Sequence, residues 1–139
     1  MPYLASRSLT VAADTITPIG ALGALGSPGA SCLLESVESG GRISRYSFVG
    51  IDYLQARNFE DDGALVENVR AFVGKHRQAF SEPSQGGALV AFSYDAARSF
   101  ARLRKRAPSD PPMPAAYVAL PATWLIFDHF SDELTIWTC

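Results

Sequence analysis

Ser31-Cys32-Leu33-Leu34-Glu35-Ser36-Val37 and the return run Arg45-Tyr46-Ser47-Phe48-Val49-Gly50-Ile51 decide how this chain folds. Read with a period of two, the first run puts Cys32, Leu34 and Ser36 on one face and Leu33, Glu35 and Val37 on the other, so each polar side chain sits among apolar neighbours. Two such runs joined by a polar loop containing Gly40-Gly41 predict paired strands. A carboxylate among apolar residues is tolerated only when it is paired and hydrogen-bonded, by an arginine or by the ammonium of a ligand. The plainer alternative is a strand end, where Glu35 reaches solvent beside Glu38-Ser39-Gly40-Gly41.

Upstream, residues 1–16 alternate weakly through Leu9 and Val11 and predict an edge strand or ordered arm. Thr17 reads as an N-cap with Pro18 at the first helical position, where its missing N–H costs nothing. Ile19, Leu22 and Leu25 follow at helical spacing, and Gly26-Ser27-Pro28-Gly29 stops the helix. Downstream, Tyr53 to Arg57 predicts a third strand, and Glu60-Asp61-Asp62-Gly63 a polar turn. From Ala64 the period changes. Leu65, Val69, Phe72 and Phe80, with Val66 and Val73 beside them, share one helical face, and Glu67, Arg70, Lys75 and Arg77 take the other, which predicts a helix covering a sheet.

Ala88 to Phe92 predicts a short strand and Ser93 onward a helix with Ala96, Phe100 and Leu103 as its packing stripe. The cations Arg98, Arg102, Arg104, Lys105 and Arg106 suit a helix C-terminus, whose dipole favours positive charge. Pro108, Pro111, Pro112, Pro114 and Pro121 predict an extended surface segment over 107–121. Thr123 to Phe127 and Leu134 to Thr138 then close the chain as a hairpin around Asp128 to Glu133. A chain that ends on Cys139, directly after a strand, is expected to be a domain fragment.

With 139 residues, 47% hydrophobic and 19% charged, the chain suits one domain with one core. A net charge of -2 gives no electrostatic case for nucleic acid or an anionic membrane. Cys32 and Cys139 supply neither a disulfide framework nor metal-ligand spacing. No leader-like or membrane-spanning run occurs, so the expected location is cytoplasmic. Gly86-Gly87 precedes a strand, whereas a phosphate cradle needs its glycines after one, and no nucleophile elbow, His-Glu-x-x-His or Walker loop is present. His129 has the side chain for acid–base work but no second catalytic group beside it, and it reads as structural. His76 reads as solvated or at the edge of the core.

The string from Leu33 to Gly50 resembles the regulatory motif in the N-terminal domain of anthranilate synthase component I, the chorismate-using enzyme of tryptophan biosynthesis. Thr17-Pro18 at a helix start, Gly86-Gly87-Ala88-Leu89-Val90-Ala91-Phe92-Ser93-Tyr94-Asp95-Ala96-Ala97-Arg98, and Phe127-Asp128-His129 follow the order of that family. The sequence departs from it at Val90-Ala91-Phe92, where a Gly-Tyr pair is common, and at Ser44, where Gly commonly precedes Arg-Tyr. The resemblance implies an α+β fold of mostly antiparallel sheets packed with flanking helices, and a single N-terminal regulatory domain over 1–139.

In the full enzyme that the resemblance implies, a lyase makes anthranilate from chorismate. Ammonia comes from a glutamine amidotransferase subunit and Mg²⁺ sits in a C-terminal catalytic domain. No motif of that domain occurs here, so no catalytic or metal residue is carried over, no cofactor is expected in this chain, and the chain alone is expected to be inactive. What the resemblance carries over is a feedback-inhibition site for L-tryptophan, the allosteric effector. It implicates Leu34, Glu35 and Ser36, with Arg45, Tyr46, Ser47 and Phe48 on the returning strand and Pro18 at the helix start. A tryptophan zwitterion needs an acceptor for its ammonium, donors for its carboxylate and an apolar slot for its indole. Glu35 or strand carbonyls suit the first, Ser36, Ser47 or backbone N–H groups the second, and Leu34 with Phe48 the third. The family also closes this pocket with an Asn-Pro-Ser-Pro-Tyr-Met-like segment of its catalytic half, which this sequence lacks. The same residues fit two further readings: the matching domain of aminodeoxychorismate synthase component I, and a stand-alone binding or scaffold domain.

Overall fold

The computed structural model describes residues 6–35, 45–76, 87–101 and 113–139. Its strands are β1 (Arg7–Ala12), β2 (Ser31–Leu34), β3 (Tyr46–Phe59), β4 (Leu89–Phe92), β5 (Ala116–Asp128) and β6 (Glu133–Thr138). The helices are α1 (Pro18–Leu25), α2 (Leu65–His76) and α3 (Ala97–Phe100), the last preceded by a 3-10 turn over Tyr94–Ala96. The strands form one antiparallel six-stranded sheet in the order β1-β6-β5-β3-β2, with β4 also paired to β5. This is an α+β fold, and no helix among the described residues is long and apolar enough to cross a membrane.

β5 is the centre of the sheet. One of its edges pairs with β3 from Ala116 to Asp128, and the other is divided between β4 over Ala116–Ala119 and β6 over Thr123–Asp128. Pro121 therefore lies inside a central strand and is buried, where the sequence predicted an extended surface segment. A proline is tolerated there because its position falls in the gap between β4 and β6 and beside a register shift in β3, so a missing N–H meets an already interrupted ladder.

β3 is also longer than its sequence predicts. The two strands expected at Tyr46–Ile51 and Tyr53–Arg57 are one, running through Asp52 in the left-handed region at φ 56°. The register with β5 shifts between Tyr53 and Gln55, so β3 spends one extra residue there. Because side chains alternate with a period of two, that residue changes which face the odd-numbered positions occupy. Val49 opposite Leu125 joins the core beneath α1, whereas Phe59 opposite Ala116 joins the core beneath α2. Leu125 and Ala116 differ in parity along an unshifted β5, so the two cores, and the two helices, lie on opposite faces.

α1 begins as its sequence predicts: the Thr17 side chain accepts a hydrogen bond from the Gly20 N–H at 3.1 Å, and Pro18 occupies the first turn. At the other end the Gly26 N–H donates to the Leu22 carbonyl at 2.7 Å. A helix this short is not stable alone. It is held by Ala21 and Leu22 packing on Val49, Ile51, Leu125, Phe127 and Leu134. α2 presents Leu65, Val69, Phe72 and Val73 to Phe59, Ala116 and Val118, as its period predicts. His76 sits at the helix end, its Nδ1 2.8 Å from the Phe72 carbonyl and its ring 5.1 Å from that of Phe72. The helix expected from Ser93 is a 3-10 turn and a single α-helical turn ending at Phe100. The expected positions of Phe80, Leu103 and the cations at 102–106 lie outside the described residues.

Candidate functional site

The β2–β3 ladder places Leu34 directly opposite Phe48, and Leu33 opposite Val49. Alternation then divides the expected residues between two faces. Leu34, Tyr46 and Phe48 share one, together with Ile126, which pairs with Phe48, and Trp124. The rings form a chain: Tyr46 to Phe48 at 6.2 Å, and Phe48 edge-on to Trp124 at 6.4 Å and 89°. Trp124 is buried and donates its indole N–H to the Gly87 carbonyl at 3.2 Å, whereas Leu34 and Tyr46 remain 45% and 41% exposed. The result is an aromatic strip buried at one end and open at the other, the kind of surface on which a planar apolar group stacks.

Ser47 points to the opposite face, the one carrying α1. It is fully buried, and its Oγ lies 2.7 Å from Nε2 of His129. The His129 N–H also donates to the Arg45 carbonyl at 2.8 Å, so this histidine fastens the β5–β6 turn to the start of β3. Pro18, buried in the first turn of α1, lies on the same side of the sheet as Ser47. Glu35 follows the last residue of β2 and is exposed, as at a strand end. Ser36 lies outside the described residues.

Arg45 immediately precedes β3 and spans the end of the sheet. Its Nε is 3.0 Å from both carboxylate oxygens of Asp128, and its Nη2 is 2.6 Å from Oδ2. The guanidinium stands 4.8 Å from the centre of the Tyr46 ring and 5.7 Å from that of Phe130, a cation between two aromatic faces. The hydrogen bond to Asp128 raises the pKa of Arg45. Reciprocally, the Arg45 hydrogen bond, joined by the Phe130 N–H, holds the Asp128 carboxyl down at about 2. Arg45 thus carries a fixed positive charge at the open end of the aromatic strip, already engaged by one carboxylate. Deeper along β3, burial and then a hydrogen bond with Cys32 push the Tyr53 hydroxyl up.

Sequence reasoning missed Trp124, Ile126, Asp128 and Phe130 as neighbours of this site. The turn itself is expected from the hairpin around Asp128 to Glu133, and Phe127-Asp128-His129 ties it to the resemblance. Among the described residues no group of three or more His, Cys, Asp or Glu side chains converges.

An antiparallel α+β domain with an aromatic strip and a caged arginine at one sheet end is the class this arrangement defines. Comparison with known proteins narrows it. No protein-family model matches the chain. It is 31% identical over 139 residues to anthranilate synthase component 1 of Thermus thermophilus, covering 90% of this chain and 30% of that protein. It is 26% identical over 148 residues to anthranilate synthase component 1 of Acetivibrio thermocellus, covering 93% of this chain and 30% of that one. The chain is therefore related to anthranilate synthase component 1, and it spans about 30% of the length of these curated relatives.

Proposed function

We propose that this chain is the tryptophan-sensing regulatory domain of an anthranilate synthase component 1, in which L-tryptophan bound on the sheet face shared by the end of β2 and the start of β3 lowers the turnover of chorismate elsewhere in the enzyme. The observation that carries the reading is the shared face of Leu34 on β2 and Tyr46 and Phe48 on β3, three of the residues implicated by the resemblance, continued inward by Trp124. An indole laid on this strip would bury its apolar area against an aliphatic side chain and aromatic edges. Arg45 supplies donors and charge for the carboxylate at the open end, and Glu35, exposed just past the end of β2, or a strand carbonyl supplies an acceptor for the ammonium.

Ser47 serves a different part in this reading: from the opposite face, with His129, it fixes the backbone from which Arg45 and Tyr46 project. Feedback then requires tryptophan to bind the inhibited state more tightly than the active one, and the size of the inhibition is set by that difference. In the assembled enzyme the catalytic domain, its Mg²⁺ and the glutamine amidotransferase subunit would supply the chemistry that this domain restrains. Calorimetric titration of L-tryptophan into the protein and into Phe48→Ala and Glu35→Ala variants tests the reading. Weaker binding in both variants is expected, and unchanged binding in both removes the assigned site.

A further inference from the structure

Asp128, the last residue of β5, is not among the groups assigned to the effector, yet it decides what Arg45 has to offer. A guanidinium presents its donors along two planar edges, Nε–Nη2 and Nη1–Nη2. Asp128 takes the first: Nε is 3.0 Å from both carboxylate oxygens, and Nη2 is 2.6 Å from Oδ2. The rings of Tyr46 and Phe130, 4.8 and 5.7 Å away, lie against the same guanidinium. Among the described residues nothing accepts from Nη1, and the Arg45 side chain is 55% exposed. One edge is therefore filled and the other is open. Asp128 itself has little acceptor capacity left: its side chain is 16% exposed, and the Phe130 N–H donates to Oδ1 at 3.0 Å beside the bonds from Arg45.

We propose that Asp128 is the positioning residue of the effector site: it holds Arg45 by the Nε–Nη2 edge so that the Nη1–Nη2 edge receives the ligand's carboxylate, and it thereby limits the effector to aromatic molecules that carry a carboxylate. This rests on the tryptophan reading of the Leu34, Tyr46 and Phe48 face. Two-point recognition of a carboxylate needs a guanidinium fixed in orientation. A loose arginine loses its rotamer freedom when the ligand arrives, whereas a clasped one has lost it beforehand. The Asp128 carboxyl is held at about 2, so it is ionised and the clasp is in place throughout the neutral range. Because that charge balances the guanidinium, the open edge contributes directed donors rather than a net attraction for anions. An amino acid zwitterion suits such an edge better than a dianion.

The test compares L-tryptophan with L-tryptophanamide, which keeps the indole and the amino group and lacks the carboxylate. Both are titrated calorimetrically into the protein, into Asp128→Asn, and into Arg45→Lys, which keeps the charge and loses the fork. The protein is expected to prefer the acid by about tenfold. In both variants the preference should collapse toward parity through weaker binding of the acid alone, whereas a merely structural role would weaken both ligands alike. NMR of the arginine side chains in the unaltered protein adds a measurement that needs no variant: tryptophan should shift the Arg45 Nη1 signals and leave its Nε–H in place. An undiminished preference in Asp128→Asn, or equal weakening of both ligands by the folded variant, overturns the proposal. Tighter tryptophan binding in Asp128→Asn overturns it in favour of a carboxylate that competes with the ligand. Should Asp128→Asn not fold, the Arg45 signals decide, and displacement of Nε–H by tryptophan overturns the proposal. In each of these outcomes tryptophan still binds the protein and the effector reading stands; no binding of tryptophan to the unaltered protein removes both.

Discussion

Arg45 and Asp128, separated by 83 positions in the chain, clasp each other through Nε and Nη2 at the sheet end where β3 starts and β5 stops. The clasp ties the start of β3 to the β5–β6 turn, and it titrates. Asp128 is held at about 2 against an ordinary value of 3.8. A carboxyl lowered in the folded state adds stability that is complete above its unfolded value and is lost as pH falls through its folded one. Urea unfolding midpoints of the protein and of Asp128→Asn should therefore differ most near neutral pH. They should converge between about pH 4 and pH 2. A constant difference across that window would detach the clasp from stability.

Asp52, in the left-handed region at φ 56°, lies just before the register shift of β3 between Tyr53 and Gln55. Asp tolerates this conformation better than most residues, and a β-branched side chain does not. Asp52→Val should lower stability by about 1–2 kcal/mol while Asp52→Gly is tolerated, as measured by chemical denaturation. If Val is tolerated as well as Gly, the backbone at Asp52 does not hold the left-handed conformation in solution.

Gly50 lies between β2 and β5 with no room for a methyl group. A Cβ there would fall 2.8 Å from Pro121 Cγ and 2.9 Å from Cys32 Sγ. The proline ring is fixed by its own strand, so the strain of Gly50→Ala cannot be relieved by a simple rotamer change. The variant should lose about 1–3 kcal/mol in denaturant unfolding. Unaltered stability would mean that β2 is not seated against β3 at this register.

Much of this fold was legible in the sequence because its signals are local. Thr17-Pro18 set the start of α1, the spacing of Leu65, Val69 and Phe72 set the buried face of α2, and alternation set the β5–β6 hairpin. Two elements escaped for the same reason. Asp52 interrupts the alternation of β3, and Pro121 is a strand breaker by composition, yet tertiary pairing carries both strands through. In the site, a period of two already separates Ser47 from Tyr46 and Phe48, so the opposite faces could have been read in advance. The contacts of Arg45 with Asp128 and of Ser47 with His129 span 83 and 82 positions, and no local pattern announces them. Trp124 reaches the strip only because β5 lies beside β3.

The most direct measurement of the central claim is an L-tryptophan titration into isotope-labelled protein, followed residue by residue by NMR. Saturable shifts centred on Leu34, Tyr46 and Phe48, spreading to the indole N–H of Trp124 and absent in Phe48→Ala, are the predicted result. Saturable shifts centred elsewhere, or none as tryptophan is raised to millimolar concentration, would contradict it.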